Sequence, residues 1–161
     1  MGGSNMPLIV DEDGARSASR PTAIALSLFT MRAMELWKLD VDDHDSAMIL
    51  VAVVAISSER LLRTELSAEE KALATAIKPD KLARCNVSSI ASATGINRET
   101  TRRKVNILIE KGLLVRQAGG NIAFAPGILQ RESILVLFRR QLEAVSRLAN
   151  DLIRMGVLRE T

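Results

Sequence analysis

Arg98, Arg102, Arg103 and Lys104 fall in one short stretch, at spacings that on a helix set their cationic groups along the same exposed side or its edge. A guanidinium is a planar fork that can donate to both major-groove acceptors of guanine at once, a contact that discriminates against a wrong base by about 1–3 kcal/mol. The chemistry on offer is recognition rather than bond making. Arg98, Thr100, Arg102 and Arg103 are the candidates for base or near-base contact. Ser89, Asn97, Lys104 and Arg116 are the candidates for phosphate, with Ser88 joining them at the start of the preceding helix. Phosphate contacts add affinity that depends on salt and is blind to sequence.

Such side chains need a rigid underside. The periodicity predicts a helix from about Arg98 to Ile109, with Thr101, Val105, Leu108 and Gly112 facing inward. Arg98, Glu99, Arg102, Arg103 and Asn106 then face outward, and Thr100 and Lys104 lie at the edges. In the shorter helix before it, Ser88 is placed to cap the first turn and Ala91 is small enough for a close helix crossing. Gly95 supplies a left-handed turn, Ile96 fills the space beneath it, and Asn97 can cap the second helix. Downstream, Leu114–Gln117 and Ile122–Ala125 flank Ala118-Gly119-Gly120-Asn121, a hairpin signal. Two helices about a glycine turn, then a hairpin, is the layout of a winged helix-turn-helix.

In the order Ala91, Gly95, Ile96, Arg98, Thr100, Arg102, Val105, Leu108, Gly112, Leu113 and Leu114, the stretch from Asn86 to Phe124 resembles the DNA-binding module of the GntR and MarR families of bacterial transcriptional regulators. The helices around it, two before and a long one after, are more like the MarR type. The resemblance implies a homodimer joined through its terminal helices. It also implies either a small-molecule effector or constitutive binding, between which the residues do not choose. Thr94 and Thr101 stand where these families usually carry aliphatic residues, and their hydroxyls can be satisfied by a carbonyl one turn back. Lys104 stands where a small apolar residue is common. The hairpin tip carries Gly119, Gly120 and Asn121 in place of arginine, which leaves its groove contact to backbone amides and Arg116.

The rest of the chain sets the frame. Seven cations face two anions between Arg84 and Gly120, whereas nine anions face three cations between Glu35 and Glu70, so a polyanion would approach the middle of the chain. Apolar residues make up 47% of the 161 residues but aromatics only 2%, which predicts a mainly α protein with a core of Leu, Ile, Val, Ala and Met. One Cys excludes an internal disulfide and a thiolate-rich zinc site, and with one His and no phosphate-binding glycine loop we expect no catalysis, metal or cofactor. The run Asp40, Asp42, Asp43, Asp45 fails as a calcium loop, because Asp45 stands where glycine is needed and Val51 where the bidentate Glu is needed. It reads instead as the acidic start of a helix. Cys85 reads as packing, although Arg84 beside it could lower the thiol pKa and give it a redox role.

The longest apolar run, Ala47 to Ile56, is too short to span a bilayer and no apolar signal region opens the chain, so a cytoplasmic protein with no membrane partner is expected. Residues 1–19 are set aside as a disordered tail or tag remnant. Residues 20–66 are expected to form dimerisation and core helices, one from Pro21 to about Leu39 and one from about Ser46 to Leu66. Residues 67–126 form the DNA-binding lobe, opened by the capping box Ser67 to Glu70 and a short helix that Pro79 ends. Residues 127–161 form a C-terminal dimerisation helix, with Leu135, Phe138, Leu142, Val145, Ala149 and Leu152 at alternating spacings of three and four. The expected function is that of a homodimeric, sequence-specific regulator bound to double-stranded DNA at a pseudo-palindromic operator. The alternative is a winged-helix module that holds a protein and does not touch DNA.

Overall fold

The computed structural model describes residues 7–37 and 41–161 and orders them as β1 (Leu8–Val10), α1 (Glu12–Ser17), α2 (Ser19–Leu36), α3 (His44–Ser58), α4 (Val87–Thr94), α5 (Arg98–Glu110), β2 (Leu114–Arg116), β3 (Ile122–Phe124), α6 (Glu132–Arg154) and β4 (Leu158–Glu160). Among these residues the chain is mainly helical, with two small antiparallel sheets, β1 with β4 and β2 with β3. No helix of the described residues is long and apolar enough to cross a membrane.

The chain divides into a central unit, Trp37–Leu137, and a terminal unit drawn from the segments through Leu36 and from Phe138 onward. This division differs from the boundaries at residues 66, 126 and 127 expected from the sequence, since α6 itself is shared between the two units. Residues 1–6, the expected helix end at Leu39, and Asp40 lie outside the described residues.

In the central unit α3 forms the middle of the core. Asp43 caps it, its carboxylate accepting from the Ser46 amide at 2.9 Å and the Ser46 hydroxyl at 2.7 Å. Ile49 and Val53 are fully buried, and Ile90, Val105, Leu108, Leu114 and Ile122 close around them. The helix stops at Ser58 rather than Leu66 because the Ser57 carbonyl, which would accept from Leu61 in a continued α-helix, accepts instead from the Ala83 amide at 2.8 Å. The chain then tightens into a 3-10 turn at Glu59–Arg63.

The helix expected after Ser67 does not form. Its capping box closes, with the Ser67 amide donating to Glu70 at 3.0 Å and the Glu70 amide donating to the Ser67 hydroxyl at 3.2 Å, yet only turns follow. The Leu73 carbonyl accepts from the Gln130 side chain at 3.1 Å, and Ala72, Ala74 and Ala76 stay exposed, so neither the hydrogen-bond ladder nor a buried stripe supports a helix.

Residues 8–17, set aside with the tail on sequence grounds, are folded in the terminal unit. Leu8, Ile9 and Val10 pair with Glu160, Arg159 and Leu158, and Asp11 caps α1 through the Gly14 amide at 2.8 Å. A Cβ on Gly14 would overlap the Gly156 carbonyl, so only glycine allows this approach of α1 to the turn before β4. The Thr22, Ser27 and Thr30 hydroxyls of α2 donate to carbonyls four residues back, at 2.8 to 2.9 Å. No residue of α2 is buried, and a cavity of about 260 Å³ lies between Ile24, Leu28 and Phe29 of α2 and Leu148 of α6.

Candidate nucleic-acid interface

The cap of α4 is Asn86 rather than Ser88. The Ser89 amide donates to the Asn86 side chain at 3.0 Å and the Asn86 amide donates to the Ser89 hydroxyl at 2.9 Å, a reciprocal box that starts the helix two residues earlier. Asn86-x-x-Ser89 carried that spacing in the sequence, with Asn in place of the usual Ser or Thr. Ser88 is thereby an exposed residue of the first turn, while the Ser89 hydroxyl also donates to the Asn86 carbonyl at 2.8 Å and is held within the box.

Gly95 ends α4 at φ 71°, and the chain turns through Ile96 into Asn97, whose side chain accepts from the Glu99 amide at 2.9 Å and caps α5. On the underside of α5 Thr101 and Val105 have no exposed surface and Leu108 has 1%, as their spacing predicts, whereas Gly112, expected on the same side, lies beyond the helix end and is exposed. Thr101 donates to the Asn97 carbonyl at 3.0 Å and the half-buried Thr94 to the Ile90 carbonyl at 2.8 Å, which satisfies both hydroxyls. Burying Val105 and Leu108 contributes roughly 1.5–3 kcal/mol each to holding the helix in this rotation.

That rotation leaves Arg98, Glu99, Arg102 and Arg103 exposed, with Thr100, Lys104 and Asn106 half-buried beside them. Among the described residues Arg98 and Arg103 have no hydrogen-bond or ion-pair partner, whereas Arg102, Lys104 and Arg116 are engaged. Arg102 donates from Nε to Glu99 at 3.0 Å and from Nη2 to its other oxygen at 2.5 Å, and this hydrogen-bonded fork holds the Glu99 carboxyl below the usual range. Arg116 donates to the Asn106 side chain at 3.0 Å, tying β2 to α5.

Lys104 departs from its expected place on a phosphate. Its ammonium lies 2.8 Å from Asp43, with only 19% of the side chain exposed, so it ties α5 to the cap of α3. Burial raises the Asp43 carboxyl, but the hydrogen bonds from Lys104 and from the Ser46 amide and hydroxyl outweigh it and bring the pKa down to about 2. Lys111 pairs with Asp42 at 3.1 Å in the same way. Nothing in the sequence signalled these long-range pairs, whereas Glu99 and Arg102 stand at a helical i, i+3 spacing that could have shown theirs.

The hairpin pairs Leu114 with Phe124, Val115 with Ala123 and Arg116 with Ile122, and its tip turns through Gly119 and Gly120 without a cation. Cys85 lies under it, fully buried, its amide donating to the Asn121 side chain at 2.7 Å and its carbonyl accepting from the Ile122 amide at 2.7 Å. Burial pushes its thiol pKa up, against the weaker pull of the Ser89 hydroxyl, which removes the thiolate that a redox role through Arg84 would need. Among the described residues no three His, Cys, Asp or Glu side chains converge as a metal site. No protein-family model, curated protein or solved structure matches the chain.

Proposed function

We propose that the central unit is a winged helix-turn-helix that reads double-stranded DNA through α5, and that the chain acts as a MarR-like homodimeric transcriptional regulator on a pseudo-palindromic operator. One observation carries the reading: α5 is buried along Thr101, Val105 and Leu108, and on its opposite face Arg98 and Arg103 reach solvent with no hydrogen-bond or ion-pair partner among the described residues. Arginines held outward by a packed underside are what major-groove entry requires. Thr100 lies at the edge of that face, and among the described residues neither its hydroxyl nor that of the exposed Ser88 in α4 has a hydrogen-bond partner, which leaves both able to donate to a phosphate.

The terminal unit supports the dimer. Among the described residues, ten of the fifteen large apolar side chains left exposed belong to it, including Met31 at 66% and Leu142 at 71%. The Thr22, Ser27 and Thr30 hydroxyls of α2 are already bonded to their own helix, so a second copy could cover them without stranding a donor. A two-fold pair would place its α5 helices to read half-sites about 34–36 Å apart.

Selection from random duplex DNA, followed by a salt titration, tests the reading. A dimer with roughly 6–10 phosphate contacts should enrich a two-fold symmetric site and lose about 10³–10⁵ in affinity between about 50 and 200 mM salt. Replacing Arg98 and Arg103 with Ala should weaken binding to every sequence. No enriched site, together with binding indifferent to salt, would favour the protein-holding module instead.

A further inference from the structure

Glu99 is out of place on a face built to meet phosphate, since an exposed carboxylate there repels the backbone. It lies one turn ahead of Arg102, and its two oxygens accept from Nε and Nη2 of that guanidinium. These donors form the side edge of the group. An arginine has five N–H donors, and guanine O6 and N7 can be met by the end edge, one N–H from each Nη. The contact with Glu99 therefore uses one edge and leaves the other without a hydrogen-bond partner among the described residues, on a side chain 57% exposed.

We propose that Glu99 is a positioning residue that fixes the plane of Arg102 with its end edge outward, and thereby sets a preference for guanine at one position of each half-site. The inference rests on the DNA reading above and goes beyond it in naming the contact that discriminates. A free arginine loses rotamer freedom when it docks; one already braced by a carboxylate loses less, so the gain appears only where the fork meets its two acceptors. Arg98 and Arg103, which lack such a brace, are left to contacts that depend less on the base.

The test measures binding of the full chain to its selected site and to the same site with each G·C pair replaced in turn. A bidentate arginine–guanine contact discriminates by roughly 5- to 150-fold, and Arg102→Ala should abolish that preference at one pair. Glu99→Ala should lower the preference at the same pair by roughly two- to tenfold, the range expected for the rotamer freedom of one long side chain. Glu99→Gln, which keeps one acceptor, should fall between, and for both variants binding to unrelated duplex should be no weaker than wild type. A preference at that pair unchanged in Glu99→Ala overturns the positioning role while the DNA reading stands. So does an equal loss on selected and unrelated DNA, which a merely structural glutamate would give. A wild-type chain that selects no site overturns both.

Discussion

Asp43 does two jobs whose strengths can be separated. As the cap of α3 it accepts from Ser46, and removing such a cap costs about 1 kcal/mol. Its pair with Lys104 at 2.8 Å is half in solvent, with 42% of the Asp43 side chain exposed, so screening limits it to about 0.5–1 kcal/mol. Asp43→Ala should therefore destabilise the chain by about 1.5–2 kcal/mol in urea unfolding at neutral pH. Asp43→Asn, which keeps the cap oxygen and loses the charge, should cost only about 0.5–1 kcal/mol. The pH dependence supplies the check. The folded pKa of about 2 lies below the ordinary 3.8, so this stabilisation is complete above pH 4 and is lost as pH falls towards 2. The unscreened linkage would be about 2.4 kcal/mol, and discounting for exposure leaves about 1. Below pH 4 the gap between wild type and Asp43→Asn should close. Should Asp43→Ala unfold within about 0.5 kcal/mol of wild type, or should the gap to Asp43→Asn stay undiminished as pH falls to about 2, the cap and its lysine are not coupled as described.

Three further outcomes follow from the packing. Gly95→Ala should cost about 1–2 kcal/mol in the same assay, because the site is open and only the φ of 71° opposes a Cβ. Cys85 should resist a thiol reagent at pH 8 in the folded chain and react fully in denaturant; rapid labelling of the native protein would contradict its burial. Gly14→Ala should loosen the terminal unit, because the new Cβ meets the Gly156 carbonyl, and sedimentation should show a weaker dimer if that unit joins the subunits.

What could be read in advance was what a few neighbouring residues decide among themselves. The rotation of α5 was legible because Thr101, Val105 and Leu108 repeat at the helical period, and the turn at Gly95 because a left-handed residue at a helix end is most often glycine. The start of α4 was misplaced because Asn86 and Ser88 are both good caps, and the box with Ser89 decides between them. Elements settled by distant partners were not legible. The Ser67 capping box is intact, yet Gln130 takes the carbonyl that a helix would use. Leu8–Val10 is a strand only because Leu158–Glu160 lies against it. Lys104 looked like a phosphate ligand because its carboxylate partner, Asp43, is sixty-one positions away in the chain.

The ribbon of β1 and β4 also fixes an order of events during synthesis. Its first strand leaves the ribosome long before its second, and Trp37–Leu137 is translated in between. A nascent chain can thus complete the arginine-bearing unit while α1 and α2 still wait for their closing strand. If pairing of subunits goes through the terminal unit, two chains can join only after each has been translated as far as Glu160, so assembly waits on the second strand of the ribbon.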